Sequence, residues 1–192
     1  VVTSALARSN MRIMGPKYMT AGMGDAGACH PRDNIALRWL AKEYDVGYDI
    51  FDTIMLAREQ QAKNLADYLI SCKVTADMQI IIHGKAYKPD VPYCIGSYST
   101  LVAHYVKQAG HSVVFVDPMA DDRTDCVDSV MLPGVVLMAH NRNVTYGYTG
   151  QQNQDRFYFE IPVGSIVVDV WRTLAPDDVP GSWVVHYGNS RV

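Results

Sequence analysis

The segment Gly24-Asp25-Ala26-Gly27-Ala28-Cys29-His30-Pro31-Arg32-Asp33 sets one thiol between a glycine-rich turn and a helix start. That setting suits nucleophilic chemistry. Glycine lets the backbone approach a ligand or take positive φ, while the amides and positive dipole end of a helix stabilise a thiolate. Asp33-Asn34 reads as an N-cap before the run Ile35, Leu37, Trp39, Leu40, so Cys29 is expected just ahead of that helix. Arg32 supplies a cation nearby, and Asp33 a carboxylate four positions on. The same cysteine also reads as a packed, inert thiol, the usual state of a free Cys. The local pattern leaves both open.

A second chemistry-bearing stretch is Gly84-Lys85-Ala86-Tyr87-Lys88-Pro89-Asp90, which leaves an apolar strand where open α/β sheets bind ligands. Lys88 offers an ammonium to a phosphate, and Tyr87 an aromatic face to a base or sugar. A solvated loop with idle lysines is the competing reading. No Gly-x-Gly-x-x-Gly follows the strand, so a standard dinucleotide site is not expected. His30, His83, His104, His111, His140 and His186 lack metal-ligand spacing, and no metal is expected. Asp121, Asp122, Asp125 and Asp128 read as a solvated acidic loop. Cys72, Cys94 and Cys126 read as structural thiols, and Trp39, Trp171 and Trp183 as packing residues.

The elements that must position these groups follow from periodicity. Residues 1–32 read mainly as loop, with one short helix near Ala5. Helical patterns run from Asp33 to Tyr44 and, without internal Pro or Gly, from Asp49 to Cys72. Polar residues of the longer helix, Arg58, Glu59, Gln61, Lys63 and Asp67, form a solvated face by default. A helix of that length connects domains, packs in an oligomer, or is buried against its own domain. Gln79 to Gly84 is a short β-branched run, Ser97 to Gln108 a helix ended by Gly110, and Ser112 to Pro118 the next strand. This is a βαβ unit. Further strands are expected at Val135 to Ala139, Phe157 to Ile161, Ile166 to Trp171 and Trp183 to His186, with little helix after Pro133. An open α/β, mostly parallel sheet results, preceded by a helical region.

Bulk properties narrow the function classes. A chain of 192 residues suits one well-buried domain plus an appendage. With 48% hydrophobic and 19% charged residues it is globular, not disordered. A net charge of −3 without a Lys/Arg run argues against a nucleic-acid or anionic-membrane surface. No apolar run approaches the length of a membrane span, no leader pattern opens the chain, and reduced thiols in a cytoplasmic setting are expected. Opening on Val1, the chain reads as a processed product or a piece of something longer.

Taken together, the glycine-rich Cys-x-Pro-Arg-Asp motif, the long helix, the strand running into Gly-x-Ala-Tyr-Lys-Pro-Asp, and Asp117-Pro118 resemble the nucleotide-sugar dehydrogenases. The resemblance spans residues 12 to 172. It implies a central helical region that forms a homodimer, here residues 1–74, and a Rossmann-like nucleotide-sugar domain, here residues 75–192. The family's N-terminal NAD-binding domain has no counterpart in the chain. By this resemblance Cys29 is the nucleophile of a two-step oxidation of a sugar C6 alcohol to a carboxylate, through a thiohemiacetal and a thioester. Asp33 assists water in thioester hydrolysis, and Arg32 lies near the cofactor NAD. Tyr87 and Lys88 contact the nucleotide sugar, Tyr18 and Gly24 lie in the segment around sugar and diphosphate, and Arg172 contacts the nucleotide.

Two departures stand out. Asp25 replaces an apolar residue beside the sugar site, and Cys94-Ile95-Gly96-Ser97 replaces an Arg-Glu-Ser segment of the cofactor site. UDP-glucose, GDP-mannose and N-acetylhexosamine nucleotides all remain open as substrates. Two other readings compete with the dehydrogenase. One is a nucleotide-binding or dimerising module with Cys29 as a structural thiol; the other is a Cys-dependent hydrolase, which needs a general-base His near Cys29.

Overall fold

The computed structural model describes residues 21–25, 27–141 and 157–188. The expected short helix near Ala5 and the candidate Tyr18 lie outside the described residues. Two helices, α1 (Cys29–Glu43) and α2 (Ile50–Ser71), lead into β1 (Gln79–His83), α3 (Tyr98–Gln108), β2 (Val113–Val116), β3 (Gly134–Met138), β4 (Ile166–Asp169) and β5 (Trp183–His186). The strands form one sheet in the order β2-β1-β3-β4-β5. Every pairing is parallel, with Ile80 opposite Val113 and Val135, Val135 opposite Ile166, and Ile166 opposite Trp183. The expected α/β architecture is therefore present.

Strand chemistry explains the two-sided burial. Side chains alternate across a pleated strand, so an uninterrupted β-branched run feeds both faces of the sheet. Ile80, Ile82, Val135, Leu137 and Val168 point into a core shared with α2 and α3, while Ile81, Val136, Met138 and Val167 point to the other face. The helical face is filled by Ala62, Leu65, Ala66 and Leu69 of α2 and by Val102, Ala103 and Val106 of α3. Small residues at Ala62 and Ala66 let α2 lie close to its neighbours. The opposite face is covered by irregular chain, including Phe157, Tyr158, Phe159, Leu174 and Val179.

That covering corrects one expectation. Phe157 to Ile161 is not a strand; its aromatic side chains seal the second face, and a backbone amide, Tyr158 N–H, donates to His83 Nε2 at 2.9 Å. Aromatic and β-branched residues favour a half-buried surface whether or not their backbone joins a ladder, so the sequence signal was for burial.

Helix ends also follow local chemistry. The Asp49 side chain accepts from Asp52 N–H at 2.9 Å and starts α2, and Ser97 Oγ accepts from Ser99 N–H at 3.2 Å to start α3. The first helix differs from its expected start at Asp33-Asn34. It begins at Cys29, with Ala28 as a cap that makes no side-chain hydrogen bond. Pro31 is tolerated there because the first-turn amides have no helical partner to lose. None of the side chains of α1 is buried, and Ile35 and Trp39 are about three-fifths exposed.

Candidate functional site: the Cys29 loop on the sheet edge

All five strands run in one direction, so their carboxyl ends gather the connecting loops along one edge. Two buried carboxylates organise those loops. Asp117, at the end of β2, accepts the amides of Lys85 and Ala86 on one oxygen at 2.9 Å and Met119 N–H on the other at 3.1 Å. Asp169, at the end of β4, accepts the amides of Trp171, Thr173 and Leu174. Backbone N–H groups satisfy both charges, so these aspartates shape the edge. His83 and His140 are likewise buried and hydrogen-bonded, His140 to the Ala86 carbonyl and the Tyr158 hydroxyl.

The glycine-rich segment crosses this edge. Gly22 lies on the Trp171 ring, Gly24 on the Tyr98 ring, and Gly27 against Tyr87. At Gly24 a Cβ would come within 2.3 Å of the Tyr98 ring, so the loop can lie there because that position has no side chain. Gly96, at φ +74°, faces the backbone of Gly27 and Ala28 so closely that a Cβ would meet Ala28 N at 2.6 Å. Thus the 94–97 segment that departs from the family pattern supports the turn carrying Cys29.

Cys29 sits in the first turn of α1 and is exposed. Residues four apart share a helix face, so Asp33 stands one turn along from the sulfur. Arg32 Nε pairs with Asp33 Oδ1 at 2.8 Å, and both side chains are exposed. The Arg32 guanidinium is held above its ordinary pKa, first by its hydrogen bond to Asp33 and their Coulombic attraction and then by Cys29. Cation, carboxylate and thiol are therefore neighbours at one helix start. Burial pushes the Cys72, Cys94 and Cys126 thiols up, keeping them protonated at neutral pH.

The other candidates are placed as follows. Tyr87 is half-buried under the Cys29 turn, and the exposed Lys88 holds its ammonium 5.2 Å from the Tyr87 ring centroid. Arg172, in the left-handed region at φ +58°, donates twice from its guanidinium to the Tyr187 carbonyl, at 3.1 and 3.3 Å.

Sequence reasoning missed two cations. Lys85 is buried, donates to the Asp122 and Thr124 carbonyls and pairs with Asp122 Oδ2 at 2.8 Å, which holds that carboxyl well below the usual carboxylate range. The acidic loop is correspondingly paired and not merely solvated: Asp125 binds Lys107 and Asp128 binds Arg123. Arg58, expected on a solvated face, has a side chain only 11% exposed and binds Asp25 at 2.6 Å. A carboxylate in a glycine-rich loop without a local partner was the signal that a distant cation must meet it. An open cavity of about 550 Å³ lies beside the loop, lined by Cys94, Ile95, Gly96, Thr100, Asp121 and Asp122.

The chain is 26% identical over 108 residues to the UDP-glucose 6-dehydrogenase TuaD of Bacillus subtilis, a match covering 56% of this chain and 23% of that protein. It is 25% identical over 108 residues to the UDP-glucose 6-dehydrogenase of Rhizobium meliloti, covering 55% and 24%. The matches thus span about a quarter of the length of these curated relatives. No protein-family model matches. In fold the chain resembles a UDP-glucose dehydrogenase from Pyrobaculum islandicum, at TM-score 0.59 and 18% identity over 96% of this chain and 42% of that one. It also resembles a GDP-mannose dehydrogenase from Pseudomonas aeruginosa, at TM-score 0.58 and 14% identity over 95% and 44%. The resemblance to nucleotide-sugar dehydrogenases is thus shared by curated relatives and by solved structures of the same fold.

Proposed function

We propose that this chain is the substrate-binding and dimerising part of an NAD-dependent nucleotide-sugar 6-dehydrogenase, with Cys29 as its nucleophile. The observation that carries the reading is the seating of the Cys29 turn against Tyr87 and Gly96 on the sheet's carboxyl edge. An exposed thiol in the first turn of a helix, with Arg32 beside it, has the surroundings of an activated cysteine. Its sulfur adds to a C6 aldehyde to give a thiohemiacetal, whose oxidation gives a thioester. Asp33, one turn away, accepts a proton from the water that hydrolyses the thioester, releasing the carboxylate and the thiol. Lys88 balances the diphosphate, Tyr87 borders the sugar, Tyr18 and Gly24 belong to the segment around the sugar and its diphosphate, and Arg172 contributes a contact to the nucleotide.

The described residues fit a marginal share in holding NAD. The amino end of α3 has the Gly27-Ala28 backbone packed against Gly96, and the connection from β1 carries no glycine-rich phosphate cradle. Arg32 is the residue of this chain assigned to the cofactor side. NAD held by a further domain would supply the hydride acceptor for both oxidation steps. Residues 1–74 form the central region and residues 75–192 the nucleotide-sugar domain. The exposed apolar side chains of α1 suit a homodimer contact, and unpaired cysteines suit a cytoplasmic location.

Full-length protein carrying Cys29→Ala is expected to lose essentially all oxidation of a nucleotide sugar to its uronate. Retention of full activity would refute the covalent route. In the isolated chain, iodoacetamide at neutral pH is expected to modify Cys29 about tenfold faster than Cys72, Cys94 or Cys126. Equal rates would favour the alternative of a noncatalytic nucleotide-binding module with a structural thiol.

A further inference from the structure

We propose that Arg58 and Asp25 form a positioning clamp that fixes the Cys29 loop on the sheet edge. Elsewhere the loop is held by glycines lying on the faces of Trp171, Tyr98 and Tyr87 and by Met23, which packs against the core. Such contacts are non-directional, and a backbone resting on a flat ring can slide along it. The ion pair is directional: Arg58 Nε meets Asp25 Oδ1 at 2.6 Å, and the two side chains are 11% and 22% exposed. It is a polar side-chain tether between this loop and the body of the fold.

Arg58 is itself tightly held. Its guanidinium lies 5.5 Å from the Tyr98 ring centroid, and its backbone carbonyl accepts from the Tyr98 hydroxyl at 3.4 Å. Burial pushes the Tyr98 phenol well above its ordinary value, so it stays a neutral donor at any working pH. Glu59 stands 3.6 Å from the same guanidinium, and its carboxylate accepts from the Tyr105 hydroxyl at 2.6 Å. The clamp therefore ties the loop to α2 and, through two tyrosines, to α3. Cys29 and Asp33 follow Asp25 within one short turn and the first turn of α1, so any slip of the loop displaces both. An apolar residue at position 25, the usual occupant in the family the motif resembles, would leave Arg58 facing the loop without its carboxylate.

Arg58 and Asp25 are positioning residues, and this part of the account rests on the proposed function only where turnover is read. The test uses the chain with Arg58→Ala, Asp25→Ala, both together, Arg58→Lys, and the exchange Asp25→Arg with Arg58→Asp. Amide hydrogen exchange is followed on peptides covering residues 22–30 and, as a control for global opening, on β1. Each alanine variant is expected to speed exchange of residues 22–30 about tenfold while β1 is unchanged, and the double variant no further. Arg58→Lys or the exchanged pair should recover part of the protection. In the full-length enzyme Arg58→Lys should lower kcat more than it raises KM. Unchanged exchange at residues 22–30 in both single variants, or effects that simply add in the double variant, would overturn the clamp. Should Arg58→Ala fail to fold, Asp25→Ala and Arg58→Lys carry the same test. Activity retained by Cys29→Ala would defeat the nucleophile and leave this exchange result standing.

Discussion

Cys29 and Asp33 owe their relationship to helix geometry, while Asp122 owes its ionisation to a distant lysine. Its carboxyl lies well below the usual range chiefly through its hydrogen bond from Lys85, whose own side chain is buried. A depressed folded-state pKa contributes stability that is present above the unfolded value near pH 4 and lost as the pH falls through the folded value. Urea unfolding from neutral pH into acid is therefore expected to show a declining midpoint that Asp122→Asn makes shallower, while lowering the midpoint at neutral pH. A variant titrating like the parent would remove the Lys85–Asp122 pair from the account of acid stability. Asp25 makes the complementary point. Its type departs from the resembled motif, and the carboxylate is turned toward Arg58.

Elements explain why the thiol sits where it does. The first helix extends four residues further toward the amino end than the apolar run suggested, taking Cys29 into its first turn. That shift strengthens the helix-dipole argument, since the effect is concentrated in the first turn. Gly96 supports the turn from below, in the connection that leads into α3. Gly96→Ala combines a left-handed backbone with a clash against main-chain atoms that cannot rotate away, so a loss of about 1–3 kcal/mol is expected. Thermal unfolding measures that loss. A midpoint equal to the parent's would mean that residues 27–28 do not rest on this connection.

At the scale of the whole molecule, the second half of α2 is part of the core of the sheet and α1 is not. Ala62, Leu65, Ala66 and Leu69 are fully or nearly fully buried, whereas Trp39 is 60% exposed. An amphipathic helix without a buried residue has an apolar face to cover, and the proposed homodimer covers it. Sedimentation equilibrium is expected to find dimers whose dissociation constant rises at least tenfold in Trp39→Asp, with helicity unchanged. A monomeric parent chain, or a dimer indifferent to Trp39, would exclude α1 from the contact. No helix among the described residues is long and apolar enough to cross a membrane.

Local periodicity determined most of the architecture. The β-branched run at Ile80 to Ile82, the uninterrupted helical pattern of α2 and the Ser97 and Asp49 caps are each written within a few residues, because neighbours in sequence set backbone conformation. Motif spacing kept Cys29, Arg32 and Asp33 within five residues of one another, but only the structure, by starting the helix at Cys29, put the thiol and the carboxylate one turn apart. What periodicity could not resolve was burial without a ladder, so Phe157 to Ile161 read as a strand. The tertiary structure alone decided that Asp25 meets Arg58 across 33 residues, that Lys85 is buried against Asp122 across 37, and that Gly27 rests on Gly96. Such pairings depend on how the chain returns through space, and a charge that needs a partner carries in its own neighbourhood no record of which one it finds.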